Sequence, residues 1–154
     1  MNGLKVLLVD DEVVFTENMS SLLTKRGYQI TIANNGASAI QTLAKEDFDV
    51  VVLDLKMPGM DGIATLKEIK KLGLFTETLM LTGHGAVDTA LEAVKLGAYD
   101  YLTKPCTIEE LTEKIEEARG KKGAEERKDL DDKIQKVIES PKDTFSLFRR
   151  KKKK

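Results

Sequence analysis

Five residues suited to handling a phosphoryl group follow short apolar runs: Asp10 and Asp11 after the first run, Asp54 after the third, Thr82 after the fourth and Lys104 after the fifth. Three carboxylates gathered in one place repel one another, so either their proton affinities rise or a cation joins them. A ligand set made only of oxygen favours a hard ion, and Mg²⁺ takes one or two carboxylates, a carbonyl and waters at about 2.1 Å. A carboxylate set between Mg²⁺ and a lysine ammonium can act as a nucleophile toward phosphorus. It forms an acyl phosphate while the two positive groups neutralise the incoming oxygens.

Each of these residues also has a plainer role when taken alone. Asp10 and Asp11 suit the cap of a helix beginning at Glu12, and Asp54 suits the turn ahead of Met57-Pro58-Gly59. Thr82 beside Gly83 suits a loop hydroxyl, and Lys104 a solvated surface charge. Their recurrence at four run ends out of five favours a shared site, provided the fold brings those ends together.

The elements that would do so can be read from periodicity. Runs of Val, Ile and Leu at residues 4–9, 28–33, 50–53, 78–81 and 99–102 have the length and composition of buried parallel strands. Between them, Phe15, Met19, Leu22 and Leu23 form one apolar helical face, as do Ile63, Leu66 and Ile69, and Val87, Ala90, Leu91 and Val94. Gly27 and Gly97 stand where helices should end in a left-handed residue, and Thr107 with Glu110 forms a capping-box pattern ahead of Leu111, Ile115 and Ala118. The order is (βα)₅, and right-handed crossovers make it an α/β doubly wound five-stranded parallel sheet whose ligands bind at the carboxyl ends of the strands.

With 154 residues, 41% hydrophobic and 33% charged, the chain can bury one core. No basic segment followed by a long apolar stretch opens it, and no apolar run approaches the ~18 residues of a membrane span, so a cytoplasmic protein is expected. A single cysteine, Cys106, excludes an internal disulfide and a cysteine-based zinc site, and suits small-residue packing.

The segments Val9-Asp10-Asp11-Glu12, Val52-Leu53-Asp54-Leu55-Lys56-Met57-Pro58-Gly59-Met60-Asp61-Gly62, Leu81-Thr82-Gly83 and Tyr101-Leu102-Thr103-Lys104-Pro105 together resemble the receiver domain of two-component response regulators, over residues 3–119. The resemblance implies a flavodoxin-like strand order 2-1-3-4-5. It implies a signalling switch in which Asp54 accepts phosphoryl from a sensor histidine kinase. Asp11, Asp54 and the Lys56 backbone carbonyl would hold Mg²⁺, with Asp10 contacting the ion through water. Lys104 would pair with a phosphoryl oxygen and Thr82 would donate its hydroxyl, drawing in the loop and leaving room for the Tyr101 ring to rotate. Tyr101 also has the plain reading of a strand aromatic packed in the core. The Lys104-Pro105 bond would be cis. Lys56 and His84 would tune the phosphoryl lifetime; His84 has no partner for a metal site and more naturally gates water. Output to a protein partner would use residues 86–96, 99–102 and 107–119, without enzymatic turnover beyond self-catalysed phosphotransfer and dephosphorylation. Passing phosphoryl onward to a histidine phosphotransfer protein is an alternative. A haloacid-dehalogenase-type phosphatase needs a second Asp two residues past the first, where this chain has Lys56.

The remainder is expected to form a receiver domain at residues 1–120, a linker and amphipathic helix at 121–144 and a basic, disordered tail at 145–154. Gly120 to Gly123 reads as the linker, and Leu130, Ile134, Val137 and Ile138 as the helix face, packing on its own domain, on another copy or on a partner. Residues 121–154 hold 13 Lys/Arg against 7 Asp/Glu, or +6, leaving 12 against 19, or −7, for residues 1–120. The appendage is too short for a DNA-binding domain, so direct DNA binding is not expected. The end, Phe145-Ser146-Leu147-Phe148 followed by six cations, is placed to touch an anionic membrane or to dock on the acidic receiver.

Overall fold

The computed structural model describes residues 3–83 and 86–139, with side chains in the last helix described for 108–120, 128 and 130–135. His84 and the aromatic and basic residues of 145–154 lie outside the described residues. The order is β1 (Lys5–Val9), α1 (Val13–Lys25), β2 (Gln29–Ala33), α2 (Gly36–Lys45), β3 (Val50–Asp54), α3 (Gly62–Lys71), β4 (Glu77–Thr82), α4 (Val87–Lys95), β5 (Asp100–Thr103) and α5 (Ile108–Glu139). The strands form one parallel sheet in the order β2-β1-β3-β4-β5. The five strands sit within one residue of their sequence-based bounds.

Alternation along the strands divides the core between two faces. Leu7, Val9, Val51, Leu53 and Met80 meet Ala39 and Leu43 of α2, Leu66 and Ile69 of α3 and Ala93 of α4. Val6, Leu8, Val50, Val52, Leu79 and Leu81 meet Met19 and Leu23 of α1 and Leu111, Ile115 and Ala118 of α5. Full burial of each such Leu or Ile contributes about 1.5–3 kcal/mol, so the two layers hold the sheet rigid beneath whatever its ends carry.

The capping signals act as expected. Gly27 and Gly97 have φ of 96° and 115°, and Glu110 N–H donates to Thr107 Oγ1 at 3.0 Å while Thr107 N–H donates to Glu110 Oε1 at 2.8 Å. Lys104-Pro105 is cis. Cys106 is half-buried against the α1/α5 layer.

Two expectations need correction. Val87 and Leu91 of α4 are exposed, because the face that meets the sheet is made of Ala90 and Ala93. Small residues let the helix approach closely and turn the larger ones outward. Gly120 to Gly123 does not interrupt the helix: α5 runs through it without a break. A helical Gly costs about 1 kcal/mol, and the Lys, Ala, Glu and Arg residues around these two favour helix strongly enough to offset it. The chain forms two compact units, Met1–Lys122 and Gly123–Lys154. In the second, Leu130 and Ile134 are exposed; the side chains of Val137 and Ile138 are outside the described residues. Among the described residues no helix is long and apolar enough to cross a membrane.

Candidate functional site

Parallel register brings the predicted residues to one edge. Val9 pairs with Leu53, Asp54 with Leu81 and Thr82 with Thr103, so the residues that close β1, β3, β4 and β5 lie side by side. Backbone bonds carry the pairing past the strands: Leu55 N–H donates to Leu81 O at 2.8 Å and Lys104 N–H to Thr82 O at 2.7 Å. Asp10 is held from two directions, its N–H donating to Ala33 O at 3.1 Å and its carbonyl accepting from Asn34 Nδ2 at 2.8 Å.

Asp10, Asp11 and Asp54 each offer a carboxylate oxygen, and these oxygens lie within 4.8 Å of one another. Asp10 and Asp54 are buried. The cation that faces them is Lys104, whose Nζ lies 2.5 Å from Asp10 Oδ2, 2.8 Å from Glu12 Oε1 and 3.5 Å from Asp54 Oδ1. Burial pushes the Asp54 carboxyl up to about 6, and repulsion from Asp10 adds to it, while Lys104 pulls the other way. Burial alone would lower the Lys104 ammonium, yet hydrogen bonds to Asp10 and Glu12 and the charge of Asp54 raise it above its ordinary value. The cluster has more negative charge than one lysine can neutralise. An all-oxygen set with surplus negative charge fits a hard divalent cation such as Mg²⁺.

The capping reading of the Asp pair holds only in part. Glu12 is the N-cap of α1 and makes no side-chain cap bond, but Asp10 Oδ1 accepts from Glu12 N–H at 3.0 Å. The turn reading of Asp54 fails: it is the last residue of β3 and buried. Lys104 is likewise no solvated charge, its side chain being 19% exposed.

Thr82 closes β4 fully buried, its hydroxyl donating weakly to Gly83 O at 3.3 Å or Ala86 O at 3.4 Å. These bonds are long, and the hydroxyl can exchange them for a better acceptor. Tyr101 is half-buried against the α2–α4 side of the core, which agrees with its plain reading as a packed strand aromatic. Lys56 stands two residues past β3 with its side chain exposed, lining a cleft of about 490 Å³ with Met57, Pro58, Ile63 and Thr89. The Lys56 side chain is thus turned out toward solvent.

Three residues about the site were not singled out from the sequence. Glu12 pairs with Lys104, and the Phe15 ring centroid lies 4.4 Å from the same ammonium. Phe15 carried a helix-face signal but nothing that tied it to Lys104. Gly62 starts α3 so close to the end of β3 that a Cβ there would stand 2.5 Å from Asp54 O and 2.7 Å from Leu55 Cα; its N–H donates to Leu55 O at 2.9 Å. The Asp-Gly pair ahead of Ile63 was the available signal, since Asp61 caps α3 by accepting from Ala64 N–H at 2.9 Å.

Residues 6–116 match the family described as the response regulator receiver domain. The chain is 40% identical over 117 residues to the transcriptional regulatory protein ZraR of Escherichia coli K12, covering 76% of this chain and 26% of that protein. It is 35% identical over 111 residues to the transcriptional regulatory protein TcrA of Mycobacterium tuberculosis, covering 72% of this chain and 44% of that one. Among solved structures, a response regulator receiver domain protein from Clostridium thermocellum matches with a TM-score of 0.75 at 35% identity, covering 78% of this chain and 97% of the other. The chain spans about a quarter of the length of the first curated relatives it matches.

Proposed function

The chain belongs to the response regulator receiver family, and from that premise we propose that Asp54 is its phosphoryl acceptor and that phosphorylation switches its surface. One observation carries this: Asp54 is buried at the sheet edge with carboxylate oxygens of Asp10 and Asp11 within 4.8 Å and the Lys104 ammonium 3.5 Å away. Asp11, Asp54 and the Lys56 backbone carbonyl would hold Mg²⁺, and Asp10 would contact it through water. An Asp54 oxygen attacks phosphorus, the bond between phosphorus and the donor nitrogen of a kinase phosphohistidine breaks, and the imidazole leaves. The bound ion supplies charge neutralisation, and Lys104 pairs with a second phosphoryl oxygen.

The weakly bonded Thr82 hydroxyl then donates to the phosphoryl group. Releasing Ala86 O frees the loop before α4, and Tyr101 turns into the space. The face that changes is made of α4, β5 and the first part of α5. Val87, Leu91 and Leu96 are exposed on it, which suits a protein partner that reads it. The transcriptional role in the relatives' names attaches to proteins of which this chain covers only 26% and 44%, so the reading for this chain stays with the receiver chemistry and a protein partner.

Incubation with Mg²⁺ and phosphoramidate or acetyl phosphate, followed by Phos-tag electrophoresis and intact mass, tests the acceptor. A labile adduct on wild type and none on Asp54→Ala is expected. An adduct that survives Asp54→Ala, or no adduct from any donor, rejects the proposal.

A further inference from the structure

Lys104 spends most of its bonding away from the carboxylate it is proposed to serve. An ammonium has three N–H donors. The two short contacts go to Asp10 Oδ2 at 2.5 Å and Glu12 Oε1 at 2.8 Å, and the approach to Asp54 Oδ1 is only 3.5 Å. The Phe15 ring lies against the same ammonium at 4.4 Å, an attractive cation–π geometry. All three close partners come from the end of β1 and the start of α1.

Asp10 and Glu12 differ in what else they do. The Asp10 side chain is fully buried, belongs to the acidic cluster and also accepts the Glu12 N–H. The Glu12 side chain is 64% exposed and is not one of the clustered carboxylates. It has no packing role that would fix it in place, so its contact acts on the lysine. It occupies one donor and draws the charge to the α1 side of the site.

We propose that Glu12 is a positioning residue that, with the Phe15 ring, parks the Lys104 ammonium beside β1–α1 in the resting protein, so that phosphoryl uptake at Asp54 must first open the Glu12–Lys104 pair. The inference rests on Asp54 being the acceptor. Its consequence is a brake: a small phosphodonor meets a lysine already engaged, and uptake is slower than the acidic cluster and its lysine would otherwise allow.

The test compares wild type, Glu12→Gln, Glu12→Asp, Lys104→Ala and the double variant Glu12→Gln/Lys104→Ala. All carry Mg²⁺, and the readouts are the initial rate of phosphorylation by phosphoramidate and the affinity for beryllofluoride followed by ¹⁹F NMR. Glu12→Gln is expected to gain roughly two- to five-fold in both, the range that one half-exposed ion pair represents. Glu12→Asp should gain similarly, because its carboxylate is one methylene short of the ammonium. On the Lys104→Ala background the Gln substitution should change nothing. An unchanged Glu12→Gln, an Asp variant that behaves as wild type, or a gain that persists without Lys104 each overturns the brake, the last two because charge alone would then suffice. Should Lys104→Ala take up too little to measure, the Gln and Asp variants decide between contact and charge. If wild type itself takes up no phosphoryl, the acceptor reading of Asp54 falls and this inference falls with it, whereas failure of the Glu12 variants alone leaves the acceptor standing.

Discussion

At the N-terminal end of the sheet, Lys5 Nζ lies 2.6 Å from Glu46 Oε2 and 5.1 Å from the Phe48 ring; at the C-terminal end, Lys104 Nζ lies 4.4 Å from the Phe15 ring but divides its charge among Asp10, Glu12 and Asp54. The materials are alike, a lysine, a phenyl ring and carboxylates, and the way the carboxylates are gathered is not. At the first end Asp49 accepts the Lys5 N–H at 2.9 Å and Thr76 donates to Phe48 O at 2.8 Å, so local groups answer one another and close the sheet. At the second, buried carboxylates outnumber the cation that faces them. Backbone groups take up side chains at one end and tie the strands together, whereas at the other three carboxylates converge within 4.8 Å of one another and make a place for a cation and a phosphoryl group at some expense of stability.

The largest effect is at Asp54: Asp54→Asn should lose the phosphoryl adduct entirely by intact mass while keeping the fold, since the amide preserves shape and removes a repelled charge. Next is Lys104→Met, which strands the fully buried Asp10 carboxylate. In chelator it should cost about 3–5 kcal/mol by urea denaturation, and Mg²⁺ should restore part of the loss.

The pH dependence follows from Asp54 itself. Its folded value of about 6 lies above the ordinary 3.8, so folding favours the protonated form. The resulting stability is present below the ordinary value and is lost as pH rises through about 6, on the order of 3 kcal/mol. In chelator, the stability difference between wild type and Asp54→Asn should therefore widen between about pH 4 and 7, and Mg²⁺ should narrow it. A flat difference would mean that Asp54 is not under-neutralised.

Smaller effects complete the series. Gly62→Ala forces a Cβ against Asp54 O and the Leu55 backbone, and should cost about 1–3 kcal/mol by denaturation. At the opposite end Lys5→Met should cost no more than about 1 kcal/mol, as half-exposed ion pairs do, and should leave phosphoryl uptake unchanged. A loss of uptake in Lys5→Met would erase the distinction between the two ends.

Much of this was legible beforehand. Buried parallel strands are continuous apolar runs, so their bounds came within a residue, and caps at Gly27, Gly97, Thr107 and Glu110 use local geometry that a short stretch of chain specifies. The polar residues at strand ends were readable because register follows from strand length. Errors arose where packing rather than periodicity decides. The α4 residues Val87 and Leu91 keep helical spacing with Ala90 and Val94, yet the small residues Ala90 and Ala93 win the sheet. The glycines at 120 and 123 lost to their helix-favouring neighbours.

By itself, then, the sequence determined the order of elements, the sheet that they form and the set of chemistry-bearing residues gathered at its edge, because hydrophobic periodicity and turn chemistry act over a few residues at a time. Only the tertiary structure decided which carboxylates Lys104 touches and how firmly. Lys104 stands 94 residues from Asp10 and 92 from Glu12. Contacts over that separation depend on the register of four strands and on α1 bringing Phe15 beneath the ammonium, and no local pattern encodes them.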